Sequence, residues 1–263
     1  MDNLDDLPPR YTTILCDLWG CVHDGNTILP GVVARLERWR GEGRRVLFVT
    51  NAPRSAAAIA RQLAGLGLPI DLYDGIATAG DTGAACLAGR TVGFLGTPAD
   101  RSDLEGRGLR LVDSGFAELA CAGIEDGRPD VADYEAQLAE WAAANVLLHC
   151  LNPDRVVIHI GQPVVCAGAL ADRYEQLGGR VIWYGKPFPA IYAHALKLAG
   201  DLPHDRVVAV GDGLQTDVLG AARAGIDLVF VTGGINHGAG YPADFADRNG
   251  LGDWAPVMVV PGL

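Results

Sequence analysis

The feature that most restricts the fold of this chain is an alternation. Short apolar runs rich in β-branched residues are each followed by an alanine-rich stretch of helical character. TTILCD (12–17) precedes VVARLERWRGEG (32–43), and RVLFVTN (45–51) precedes SAAAIARQLAGLG (55–67). A short GIATAG then leads into DTGAACLAG. Near the far end RVVAVGD (206–212), TDVLGAARAG and IDLVFVTGG repeat the pattern. Strands that are apolar throughout are buried on both faces, and helices between them force parallel pairing. The expected fold class is α/β, a doubly wound parallel sheet.

The middle of the chain carries a second set of elements. TVGFLG, LRLVD, ELACAGIEDG and VLLHCLNPD read as strands, and YEAQLAEWAAA and ALADRYEQLGG as helices. We read residues 90–182 as an α/β domain inserted into a core formed by 1–89 and 183–263. At 263 residues and 49% apolar, the chain can bury a core in each. Its 21 basic and 32 acidic side chains leave a net charge of −11, which argues against nucleic acid or an anionic membrane as partner. No run of 18 apolar residues exists to span a bilayer. The N-terminal MDNLDDLPPR is acidic where a signal peptide is basic and then apolar, so a cytoplasmic location is expected. Six cysteines form no CxxC pair, and several lie in apolar runs; they read as buried, reduced thiols.

Ligands of a doubly wound sheet bind beyond the carboxyl ends of its strands. The residues at those ends are therefore the first candidates. The first strand delivers Asp17, the second Thr50 and Asn51, the segment after the insertion Lys186, and the next strand Asp212, with Asp217 five residues later. Each alone is an ordinary turn or cap residue. Together they place three carboxylates, a hydroxyl and an ammonium on one edge.

In this order, the segments DLWGCVHDG, LFVTN, WYGKPFP and VAVGDGLQTD resemble the four motifs of the haloacid dehalogenase (HAD) superfamily of aspartate-nucleophile hydrolases. The long insertion, with LNPD inside it and YGKP at its end, resembles subclass IIA. That group acts on p-nitrophenyl phosphate, nucleotides, phosphoglycolate and pyridoxal phosphate. The resemblance implies a Rossmann-like core with an α/β cap, a small phosphate ester as substrate and an aspartyl phosphate formed on Asp17. It also implies Mg²⁺ held by Asp17, Asp212, Asp217 and the backbone carbonyl of Trp19. Such a nest of oxygens suits a hard ion. Lys186 is then expected to bridge nucleophile and phosphate, and Thr50 and Asn51 to bind the phosphate. Asn152 and Asp154 of the LNPD turn become substrate-side candidates, although Asn-Pro-Asp is also simply a good turn. Caps of this subclass often mediate dimers, so a homodimer is an expected arrangement.

One position departs from the family pattern. Its phosphatases carry a second aspartate two residues after the nucleophile, which protonates the leaving group; here that residue is Trp19. Indole neither titrates near neutral pH nor accepts a proton. His23, Asp24 and His237 are the nearby substitutes, with His23 first. Dehalogenases carry an aromatic residue there, but they lack the carboxylate pair kept here as Asp212 and Asp217. A catalytically weak protein that binds phosphate as a regulator is the alternative function. Two glycine patterns, GAGYPA and GDGLQTD, imitate nucleotide loops without the required context. Trp39, Trp141 and Trp183 are expected in packed cores.

Overall fold

The computed structural model describes residues 2–159, 162–235 and 238–263. The chain divides into two compact units. The first comprises Met1–Thr50, Ala60–Ala77 and Lys186–Leu263, and the second Asn51–Ile59 and Thr78–Gly185.

The first unit is built on a six-stranded sheet. Its spatial order is Met258–Val260, Asp227–Val231, Val207–Gly211, Thr13–Cys16, Arg45–Thr50, Gly75–Thr78. Thr13–Cys16 pairs in parallel with both neighbours, Cys16 standing opposite Val210 on one side and Phe48 on the other. Every residue of the strands Thr13–Cys16 and Val207–Gly211 is buried, as continuous apolar runs require. This register brings Asp17 and Asp212, just past their strand ends, and Thr50, the last residue of its strand, to the same edge. Helices Val32–Gly41, Ala56–Gly65, Pro189–Ala199 and Leu219–Ala224 follow the strands in the expected order. The last of them differs from a plain helix: Leu214–Val218 forms a π-helical turn before it.

The second unit holds a five-stranded parallel sheet in the order Arg180–Trp183, Leu147–Cys150, Glu118–Cys121, Thr91–Leu95, Arg110–Val112. Val156–His159 pairs antiparallel with Gln162–Val165. Tyr134, Leu138, Leu148, Leu170 and Tyr174 form one core cluster, and Leu87, Val92, Leu104, Leu151 and Tyr184 another.

The second unit starts at Thr78 and also takes 51–59, whereas the sequence suggested a boundary at 90. The reason is a polar network. Arg107 donates to Asp81 at 3.0 Å, to Asp103 at 2.7 Å and to the Pro53 carbonyl at 3.1 Å. Ser55 donates its hydroxyl to Asp103 at 2.7 Å, and the Ala56 N–H donates to Asp81 at 2.7 Å. Helix Ala79–Leu87 is tied in by Ala84 and Leu87, which join the second cluster. Trp39 is fully buried, while Trp141 and Trp183 pack only partly covered against the first cluster. Five cysteines are buried as expected, but Cys86 is exposed. No helix among the described residues is long and apolar enough to cross a membrane.

Candidate active site

The first strand ends by delivering Asp17, whose N–H completes the ladder on the Val210 carbonyl at 2.8 Å. Its Oδ1 accepts from the Leu18 N–H at 2.7 Å and lies 2.6 Å from Lys186 Nζ. The same ammonium donates to Asp217 Oδ1 at 2.8 Å. Lys186 opens the return into the first unit and precedes helix Pro189–Ala199. Asp217 is carried by the π-helical turn, a local widening that recurs at functional sites. Its Oδ2 accepts from the Gly213 N–H at 3.1 Å and the Thr216 hydroxyl at 3.2 Å. Tyr192, buried on the helix after Lys186, donates its phenol to the Asp217 carbonyl at 3.3 Å.

Asp212 stands one residue beyond its strand and accepts from the Ile235 N–H at 2.7 Å. Gly20 is pressed against it. At φ 84° its backbone is left-handed, and a Cβ there would fall 2.2 Å from Asp212 Oδ2. Only glycine meets both demands without strain.

Asp17, Thr50, Lys186, Asp212 and Asp217 are all buried. Burial pushes the Asp17 carboxyl well above its ordinary range, with Asp217 adding to it. Burial and Asp217 likewise push Asp212 up to about 6. Burial opposes the charge of Lys186, but Asp17 and Asp217 outweigh it, so the ammonium is held. One cation against three carboxylates leaves a desolvated negative excess, a cost that persists where a further cation is used.

Asp17 and Asp212 offer carboxylate oxygens of the kind a hard divalent ion takes. Carboxylate oxygens of Asp17 and Asp212 and the Cys21 sulfur lie within 4.8 Å of one another. Asp217 stands outside that trio, its oxygens turned to Lys186, Gly213 and Thr216. In the sequence Cys21 reads, with the other cysteines, as a buried, reduced thiol, and no motif marks it as a ligand. Burial, with Asp212 and Asp17 beside it, pushes its thiol well up.

Trp19 lies in the same loop, its ring 2.5 Å from where a Cβ on Gly25 would stand. Its ring meets that of His23 edge to face at 5.4 Å between centroids. His23 is buried, its Nδ1 accepts the Gly25 N–H at 3.0 Å, and burial pushes its pKa down. A neutral imidazole so placed holds the turn and is a weak proton donor. Asp24 accepts from the Asn26 and Thr27 N–H groups at 2.9 and 2.8 Å, another turn-holding role. His237 lies outside the described residues.

Asn51, Asn152 and Asp154 come together within the second unit. Asn51 Nδ2 donates to Asp154 Oδ1 at 2.8 Å, and Asn152 Oδ1 accepts the Asp154 N–H at 3.1 Å.

A parallel α/β core with an aspartate at the end of its first strand, a lysine on that aspartate and further acids after a later strand defines a class of hydrolase. Two family models match: one described as haloacid dehalogenase-like hydrolase over residues 14–110, one as HAD-hydrolase-like over 183–251. A solved haloacid dehalogenase-like hydrolase from Brucella suis 1330 is 32% identical, with a TM-score of 0.88, over 100% of this chain and 99% of that one. The chain belongs to the haloacid dehalogenase-like hydrolases, and 4-nitrophenylphosphatase- and NagD-type phosphatases of subclass IIA recur among its structural neighbours and relatives. D-glycerol 3-phosphate phosphatase of Mycobacterium tuberculosis is 31% identical over 246 residues, 89% of this chain and 66% of that protein. The chain thus spans about two thirds of that relative's length. A glycerol phosphate phosphatase of the same organism, solved in complex with magnesium, is 27% identical with a TM-score of 0.69, over 86% of this chain and 69% of that one.

Proposed function

We propose that the chain is a phosphatase of small phosphate monoesters in which Asp17 is the nucleophile. The observation that carries this reading is Lys186 Nζ, buried 2.6 Å from Asp17 Oδ1 and 2.8 Å from Asp217 Oδ1. Phosphoryl transfer is mostly positioning and neutralisation of charge. An Asp17 oxygen attacks phosphorus, the ester P–O bond breaks, and the phosphoryl group rides on Asp17 until water releases it as inorganic phosphate. Lys186 orients Asp17 and donates to a phosphate oxygen, and Thr50 donates its hydroxyl. Asp17, Asp212 and the Trp19 carbonyl, with Asp217 in support, would hold magnesium, which would supply the positive charge that lets a carboxylate approach a phosphate dianion. Asn51, Asn152 and Asp154 are proposed substrate-side residues, ordered by the hydrogen bonds among them. We read the second unit as the cap that sets specificity. Six free cysteines suit a reducing compartment, in keeping with a cytoplasmic protein.

Trp19 shapes the substrate range. General acid–base catalysis contributes roughly 10²- to 10⁴-fold, and an indole supplies none of it. Turnover is expected to favour leaving groups that depart without a proton, such as aryl and acyl phosphates.

The test is inorganic phosphate release from alkyl, aryl and acyl phosphates with Mg²⁺, beside Asp17→Asn and EDTA. Loss of turnover in both arms supports the reading. Turnover that survives Asp17→Asn overturns it. Silence across the panel with Mg²⁺ still bound transfers the assignment to a phosphate-binding protein.

A further inference from the structure

The buried site contains a donor for which the phosphatase reading has no use. Cys21 is 1% exposed, and its Sγ lies within 4.8 Å of carboxylate oxygens of both Asp17 and Asp212. Three of the other buried thiols, Cys16, Cys150 and Cys166, donate to backbone carbonyls at 3.2, 3.3 and 3.7 Å. Among the described residues, the Cys21 thiol makes no such bond. A thiol held beside two buried carboxylates puts one sulfur and two oxygens within reach of a single ion, a donor set of mixed softness. The left-handed turn at Gly20, packed on Asp212, belongs to the short link that carries Cys21 back to the carboxylates.

Magnesium takes oxygen ligands and gains nothing from sulfur. Zinc and cadmium ions take sulfur and carboxylate oxygen together, typically in four-coordinate sites. We propose that Asp17, Cys21 and Asp212 bind a thiophilic divalent cation, with water in the fourth position. On binding, the S–H bond breaks, its electron pair stays on sulfur and is donated to the metal, and the proton passes to solvent. Oxidation states do not change. Because the ion engages Asp17 and Asp212, it competes with the hard cation of the proposed catalytic centre and withdraws the nucleophile. Zinc-class ions therefore act as reversible inhibitors of this chain. Binding itself does not depend on turnover of a phosphate ester, so this proposal and the phosphatase reading can fail separately.

The experiment is a titration of the full chain, stripped of metal with EDTA and then freed of the chelator, with Cd²⁺ alone. The readout is the ultraviolet thiolate-to-cadmium charge-transfer band. Cys86, the exposed thiol, is first changed by Cys86→Ser so that it does not contribute. The expected result is a saturable band that Cys21→Ala removes. Asp212→Asn is expected to weaken binding by at least the roughly 10- to 100-fold typical of losing an outer-shell partner. Excess Mg²⁺ is expected to shift the titration to higher Cd²⁺. Thermal melts establish that each variant is folded; should Cys21→Ala fail to fold, Cys21→Ser keeps the volume and removes the sulfur. A band that persists without Cys21, or no band in the folded Cys86→Ser protein, overturns the proposal.

Discussion

Each unit of this molecule sets one cation against more than one carboxylate, and the two arrangements differ in how far the charges are removed from water. In the second unit Arg107 faces Asp81 and Asp103, and both acids also accept backbone N–H groups, from Ala56 and Ser55. Every partner there is a permanent part of the chain, and the network ties segment 51–59 to helix Ala79–Leu87. In the first unit Lys186 faces Asp17 and Asp217, with Asp212 close by, and burial raises the pKa of Asp17 and Asp212. The first network completes a fold. The second buries more carboxylate than cation, an arrangement that costs stability.

That contrast makes opposite demands on activity and stability, and Asp17→Asn separates them most sharply. Turnover is expected to fall on the order of 10⁶-fold, as when a nucleophile is removed. The melting temperature of the metal-free protein is expected to rise, because one buried negative charge is gone. Phosphate release and a thermal melt on the same preparation check both; a lower melting temperature would show that the acidic cluster is already balanced.

Lys186→Met removes the cation from the same cluster. It leaves two buried carboxylates without their cation, a loss of about 3–5 kcal/mol. Urea unfolding measures it. The matching change in the other unit is Arg107→Met, where the ion pairs are partly exposed. Its cost is expected to be smaller, about 2 kcal/mol, with turnover largely kept. Equal costs for the two would remove the distinction drawn between the networks.

The contrast also explains what could be read from the sequence. Asp17, Thr50, Lys186 and Asp212 were legible because strand ends in a parallel sheet are where ligands bind, and apolar runs announce the strands. Asp217 was legible as a member of the site, but not its role on Lys186, which depends on a π-helical turn that no local pattern signalled. Cys21 was hidden because a thiol in an apolar stretch reads as packing. The boundary at Thr78 was illegible for another reason. It rests on pairs such as Arg107 with Asp81 and Ser55 with Asp103, 26 and 48 residues apart, and sequence spacing says nothing about such pairs. Asn51 and Asp154 were both singled out, yet their direct hydrogen bond across 103 residues came only with the fold.

Tyr192→Phe probes the first unit more finely. The phenol supports the Asp217 carbonyl, and through Asp217 it steadies Lys186. Losing one hydrogen bond of about 1 kcal/mol is expected to lower kcat several-fold with KM little changed. A change confined to KM would mean that the phenol serves substrate binding instead.

The smallest effect tests whether the second unit is as fully matched as its hydrogen bonds imply. His149 is buried there, its Nδ1 2.8 Å from the Tyr184 hydroxyl and its Nε2 3.2 Å from Glu118. Burial lowers its pKa below 6.5, and the nearby Glu118 offsets that only in part, so the folded protein holds a neutral ring. Above about pH 6.5 neither the folded nor the unfolded chain protonates this side chain, and it contributes no pH dependence. Below that point the unfolded chain gains a proton that the folded one refuses, so stability falls as the pH drops towards the folded value. One proton limits the slope to about 1.4 kcal/mol per pH unit. His149→Gln keeps hydrogen-bonding capacity but cannot titrate, so urea midpoints for the two proteins between pH 7.5 and 5 are expected to converge as the pH falls. If acid instead stabilises the wild type relative to the variant, His149 and Glu118 form a charged pair. The second unit would then also contain a buried ionic site sensitive to its surroundings, and the contrast with the first unit would narrow to the unbalanced charge around Asp17.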